Sequence, residues 1–237
     1  MNDSNRPYDE PSIDGGERRR QPRAIATQSA ILRSFAIAFD SDGYEPTAMN
    51  DVINANAITK GAVYFHFPSK EAIAQQLIED WNSVATQAFS DAASTNEPVP
   101  TQLRAAFTAL ADRIDVDCNI RAGMKLTLEP SIDGAHESHR RWIDATSNLI
   151  AEGVASGTIS DTTASQRLAW NLCAAFTGAV HSIPIHRGAL DLTTHTSDML
   201  TSYLTNAIPD EQDHAALRRV RGQSPVRASS RLPSKLP

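Results

Sequence analysis

From about residue 24 to residue 207 the apolar residues recur at helical spacing, and no run alternates polar with apolar long enough to make a strand. An all-α chain is therefore expected. Leu32, Phe35, Ala36 and Phe39 fall at i, i+3, i+4 and i+7, which predicts a first helix near 24–41 closed by Gly43. Thr47 is read as the N-cap of a short second helix through Asn54. Thr59 is read as the cap of a third that stops at Phe67-Pro68. Ser69, with Glu71 in the first turn where the helix dipole favours an anion, starts a long fourth helix to about Ala92. Beyond the polar break at 94–100, amphipathic patterns recur near 101–117, 119–128, 137–156, 162–186 and 194–207, about nine helices in all. Ala164 to Ile185 is apolar around most of its circumference, as suits a helix covered on several sides.

Four segments follow: a disordered tail at 1–22, a three-helix module at 23–68, a larger helical domain at 69–208, and a disordered basic tail at 209–237. Both tails are polar, Pro-rich and have little to bury. The net charge of −6 argues at first against a nucleic-acid partner. Its distribution argues the other way: residues 18–70 hold seven Lys/Arg against four Asp/Glu, whereas residues 71–208 hold eight against sixteen. A basic front sits on an acidic body.

Cys118 and Cys173 lack CxxC spacing and a neighbouring His, and are expected as buried thiols rather than a disulfide. No stretch approaches the ~18 apolar residues of a membrane span, and the N-terminus has no apolar core of a signal peptide. A soluble cytoplasmic, nucleoid-associated protein without a membrane partner is expected. The seven His are scattered, and HESH at 136–139 reads as surface histidines rather than a metal pair. No G-x-S-x-G, H-E-x-x-H or phosphate-cradling loop occurs, so neither an enzyme nor a cofactor is expected.

The informative segment is Gly43 to Lys70, GYEPTAMNDVINANAITKGAVYFHFPSK. Two helices of about two turns, joined by a turn near Ala55–Ile58, have the size and spacing of a helix-turn-helix. The second helix of such a unit enters the major groove by its N-terminal end. Thr59, Lys60 and Gly61 suit that end: Lys60 can donate to guanine O6 and N7, Gly61 lets the backbone come close, and Thr59 can donate to a base or phosphate. Tyr64 and His66 lie further along, within reach of the sugar-phosphate backbone, and Thr47 and Lys70 mark helix starts where phosphates can be met. The plain alternatives are a solvated Lys60 and an amphipathic edge made by Tyr64 and His66. Phe65 and Phe67 are assigned to packing within the module. Arg18, Arg19, Arg20 and Arg23 are either a solvated tail or a groove-following arm.

The string ITKGAVYFHFPSKEAI, preceded by GYEPTAMNDV, resembles the DNA-binding signature of the TetR family of bacterial regulators, over roughly residues 24–75. The resemblance implies operator-contact roles for Thr47, Thr59, Lys60, Tyr64, His66 and Lys70, and core roles for Ile58, Val63 and Phe67. One departure stands out. The turn usually carries Gly in that family and here has Asn56-Ala57, so either Ala57 takes φ > 0 at a cost on the order of 1 kcal/mol or Asn56 becomes left-handed. A second string, IRAGMKLTLEP at 120–130 followed by RRWIDA at 140–145, resembles the γ-butyrolactone-receptor branch. That resemblance implies a pocket-lining role for Trp142; a lone Trp is otherwise ordinary core.

Phe107, Leu110, Ile114, Met124, Leu126, Leu128 and Phe176 either line a cavity or fill one, and Arg121 is either a ligand donor or a structural partner of Asp115 or Asp117. The expected ligand contacts are Trp142, Phe107, Leu110, Met124, Arg121 and Phe176. Dimerisation is expected through the last two helices, whose apolar faces exceed what one subunit covers. The expected function is a ligand-responsive repressor, a homodimer on a pseudo-palindromic double-stranded operator, released by a small lipophilic effector of the γ-butyrolactone type. The alternatives are a regulator of a different lipophilic ligand and a DNA-binding regulator with no small-molecule site.

Overall fold

A computed structural model describes residues 14–182 and 191–209, with side chains from residue 22 onward. The expected tails at 1–13 and 210–237, the arginine side chains at 18–20 and the end of the helix expected at 162–186 lie outside the described residues. The described chain is all-helical: α1 Asp14–Asp42, α2 Met49–Ala55, α3 Lys60–His66, α4 Lys70–Ala93, α5 Val99–Val116, α6 Cys118–Leu126, α7 Ala135–Ser156, a 3-10 turn Ser165–Arg167, α8 Leu168–Ser182 and α9 Leu192–Thr205. The first helix begins ten residues before the expected start and runs through Pro22, so residues 14–22, read as tail, are helical.

The capping chemistry holds where the cap is local. Thr59 Oγ1 accepts from Ala62 N–H at 3.2 Å and Ser69 Oγ from Ala72 N–H at 3.0 Å, each satisfying an otherwise unpaired donor of a helix's first turn. Thr47 is not a cap. The N-cap of α2 is Ala48, and Thr47 is buried at 5% exposure with its hydroxyl donating to Gly43 C=O at 2.7 Å. In the turn between α2 and α3, Ala57 takes φ +51° while Asn56 stays at φ −113° and donates from Nδ2 to Val52 C=O at 2.8 Å. The left-handed strain therefore falls on alanine.

Two cores are stacked along α4. The lower core holds Ile31, Phe35 and Phe39 of α1, Val52 and Ile53 of α2, Val63, and Phe67, whose N–H closes α3 onto Val63 C=O. It also holds Ile73, Ala74, Leu77 and Ile78 of α4 with Cys118, Ala122 and Leu126 of α6, so it does not stop at the expected boundary of residue 68. The upper core takes Trp81, Ala85 and Phe89 from the same α4 and Ile120 and Met124 from the same α6, and adds α5, α7, α8 and α9. Where α4 and α6 cross, a Cβ on Gly123 would lie 2.1 Å from the carbonyl oxygen of Leu77. Only a residue without a side chain permits that approach.

Replacing Ala57 by Gly relieves the left-handed strain without touching the core, and is expected to raise stability by about 0.5–1 kcal/mol in urea denaturation.

Candidate nucleic-acid interface and aromatic core

Val63 of α3 and Phe67, the cap residue just past its end, both point into the lower core. At ~100° per residue this fixes the outward face. Lys60 and Gly61 lie at the exposed tip, and nothing approaches within 4 Å of where a Gly61 Cβ would stand. Thr59 is exposed, but its hydroxyl oxygen is engaged as the helix cap. Lys60 Nζ rests 5.8 Å from the centroid of Tyr64, which is 45% exposed. Thr59, Lys60, Gly61 and Tyr64 are thus brought together at one tip. His66 is half-buried, its ring between Phe65 and Phe67 at centroid distances of 5.1 and 6.5 Å.

Three expected placements change. Phe65 does not pack the module: it is 82% exposed, pointing directly away from the core. Thr47 turns inward, as described above. Lys70 is folded onto the loop after α1, with Nζ donating to Tyr44 C=O at 2.9 Å and to Glu45 C=O at 3.4 Å and lying 4.1 Å from the Tyr44 centroid. Its charge fastens that loop to the start of α4.

In the upper core, Trp142, Phe107 and Phe176 form a triangle of rings with centroids 5.5 to 5.9 Å apart, mostly edge-to-face, as the ring quadrupoles prefer. Leu110 and Met124 belong to the same core. Two further members escaped the sequence reading: Trp81, edge-on to Trp142 at 5.7 Å, and Phe89, 5.9 Å from Phe107. Their signal was the spacing Leu77, Trp81, Ala85, Phe89 along α4. The indole N–H groups of both Trp81 and Trp142 are buried without an acceptor among the described residues. Leaving a buried donor unpaired costs about 1–3 kcal/mol, and a ligand acceptor can recover it. A cleft of about 80 Å³ between α4 and α7, with Asn82, Thr86 and Arg141 at its rim, reaches Phe89 and Trp142.

Arg121 is not part of this cluster and does not pair with Asp115 or Asp117. It points to α1, with Nε donating to Asp40 Oδ2 at 2.8 Å and Nη1 to Ile114 C=O at 2.9 Å. Lys125, one turn on, donates to Asp40 Oδ1 at 2.6 Å. Burial by itself would raise the Asp40 carboxyl, but the hydrogen bonds from Lys125 and Arg121 outweigh it and hold the group below its usual range. This node joins the lower end of α6 to the last turn of α1.

Both cysteines are free and buried, and burial pushes the Cys173 thiol up to about 12. Among the described residues no helix is long and apolar enough to cross a membrane, and no three His, Cys, Asp or Glu side chains gather as a metal site.

Residues 31–77 match the model of the bacterial regulatory proteins of the tetR family. The chain belongs to the TetR family. It is 31% identical over 180 residues to the A-factor receptor protein of Streptomyces griseus, a match covering 76% of this chain and 63% of that relative. Against the HTH-type transcriptional repressor DhaR of Mycobacterium sp. strain GP1 the identity is 27% over 150 residues, covering 61% of this chain and 76% of that protein. Among solved structures, full-length TylP, a TetR regulator from Streptomyces fradiae, superposes with a TM-score of 0.58 at 26% identity, covering 86% of this chain and 94% of that one. A γ-butyrolactone receptor (ArpA-like protein) superposes with a TM-score of 0.65 at 20% identity, covering 84% and 97%, which speaks for the fold.

His139 joins the aromatic core to α6. Its Nδ1 lies 3.2 Å from Thr127 Oγ1, and its ring is edge-on to Trp142 at 5.7 Å. Because the Thr127 hydroxyl donates to Met124 C=O at 2.6 Å, Nδ1 must be the donor to it. Burial, with the neighbouring His136, lowers the His139 pKa below its ordinary 6.5. The unfolded chain therefore binds that proton more readily, so the stability owed to neutral His139 is complete above pH 6.5 and drains away as pH falls below it. Urea denaturation at pH 7.5, 6.5 and 5.5 should show this loss, and His139→Gln should flatten it.

Proposed function

We propose that this TetR-family chain is a transcriptional repressor that grips a pseudo-palindromic operator as a twofold homodimer and releases it when a small lipophilic effector of the γ-butyrolactone type enters the upper aromatic core. The observation that carries the reading is the tip of α3: Lys60, Gly61 and Tyr64 stand together in solvent, on a helix short enough to enter a major groove end-on. The names of two relatives, a receptor for A-factor and a transcriptional repressor, support both halves of it.

Dimerisation is supported by α8. Trp170 is 63% exposed, and Ala174 and Gly178 continue its face at four-residue intervals. A large apolar ring beside small residues is a surface that a second copy covers well. The release mechanism follows from the shared helices. An effector that displaces Trp142 or Trp81 moves α4 and α6, and both continue into the lower core that holds α3. The effector must bind the DNA-incompetent arrangement more tightly, and operator must then weaken effector binding by the same factor.

A second reading, a DNA-binding regulator with no small-molecule site, is favoured by the closure of the aromatic core. Phe107 and Phe176 are fully buried, and the cleft of about 80 Å³ is well below the ~300 Å³ at which ligand pockets begin. Melting with a series of γ-butyrolactones separates the two. A receptor gains about 2.7 kcal/mol at one hundred times Kd, and Trp142→Phe, which keeps a ring but removes the N–H, should shrink that gain. No gain with any lactone or other lipophilic compound would favour the second reading.

Operator recognition is tested with duplex selected from a random pool. Lys60→Ala should weaken binding to the selected sequence about 10-fold or more and to random duplex by less. Tyr64→Phe should weaken both alike, the mark of a phosphate contact, when followed by fluorescence anisotropy at fixed salt. Equal operator binding by wild type and Lys60→Ala would sink the assignment.

A further inference from the structure

We propose that Phe65 reads thymine, placing its ring against the C5-methyl groups of one or two thymines in each half of the bound duplex. The proposal rests on the operator-binding reading above and goes beyond it, because that reading gives Phe65 no part in recognition.

Phe65 is the most exposed large apolar side chain among the described residues, at 82%. Its position on α3 is opposite Val63 and Phe67, so no repacking of the lower core can bury it. It shares the outward face with Gly61, one turn nearer the tip, where the space around the absent side chain is open. A helix whose outward face is bare at Gly61 can sit deep in a groove, and the ring one turn later then meets the base edges. The edge-to-face contact with His66, itself against Phe67, restricts the ring to that direction.

The chemistry selects the target. Phe65 has no hydrogen-bonding atom, so it can serve neither a phosphate nor a polar base edge. Tyr64 and Lys60 beside it supply those contacts. In the major groove the principal apolar feature is the thymine methyl, and an aromatic ring that loses water against it contributes sequence preference without a hydrogen bond. The exposure of Phe65 in the free chain, unfavourable by itself, is relieved when the groove covers it.

The test is a cycle of protein and DNA changes on the sequence that wild type selects from a random pool. Deoxyuridine replaces thymine one position at a time, deleting only the methyl. For wild type, at least one position per half-site should weaken binding about fourfold, the factor that burying one apolar carbon contributes. Phe65→Ala should bind the thymine and uracil forms equally, and Phe65→Leu should keep part of the discrimination. Since Phe65 is 82% exposed and outside the lower core, both variants should melt like wild type. Wild type indifferent to uracil at every position, or Phe65→Ala discriminating as wild type does, would overturn the proposal alone. Failure of wild type to select any sequence would overturn operator binding and this proposal together.

Discussion

The approach of α6 to α4 at Gly123 is the contact on which the remaining architecture depends. A backbone carbonyl, Leu77 C=O, occupies the space a side chain would need, so the two helices lock with little freedom to slide. Each then presents one face downward and the other upward. On α6 the four-residue series Cys118, Ala122, Leu126 goes into the lower core and the series Ile120, Met124 into the upper. Arg121 and Lys125, a third such series, converge on Asp40. One short helix is thus tied to both cores by its apolar residues and to α1 by charge.

The Asp40 node offsets an intrinsic mismatch. A carboxylate in the last turn of a helix faces the negative end of the helix dipole, and partial burial adds a desolvation penalty. Two cations from α6 make the arrangement favourable, and Lys125 also lies 3.4 Å from the Asp40 carbonyl. A charge that is comfortable only while another element stays in place is a natural point at which movement of α6 registers in α1.

What the sequence disclosed was what is decided locally. Thr59 and Ser69 were readable as caps because a hydroxyl three residues before an unpaired N–H is a near-neighbour interaction. Phe67-Pro68 was readable as a stop for the same reason, and the tetR-like string fixed the family. The misreadings needed longer range or phase. Arg121 pairs with a residue 81 positions away, where no spacing rule reaches. Thr47 lost its capping role because a hydroxyl near a helix start can bond back to the fourth carbonyl before it, as this one does. Phe65 was assigned to packing from its residue type, although counting from Val63 and Phe67 places it on the far side. The aromatic core was half visible: Trp142, Phe107 and Phe176 were named, whereas Trp81 and Phe89, on the long fourth helix, were not.

The lower core contains α4, α6 and the segment around Ile132 and Ala135 as well as the first three helices. The reading head is therefore not a detachable cassette. A chain cut after Pro68 would expose the inner surfaces of Phe35, Phe39 and Val63 to water, and a head grafted onto another member of the family would meet a foreign α6 at its base. The freedom to vary lies on the outer rim of α3, where Tyr64 and Phe65 are exposed and the space at Gly61 is open. Change in the upper core must proceed through α4 and α6, helices that also hold that rim in position, so the two surfaces vary on unequal terms.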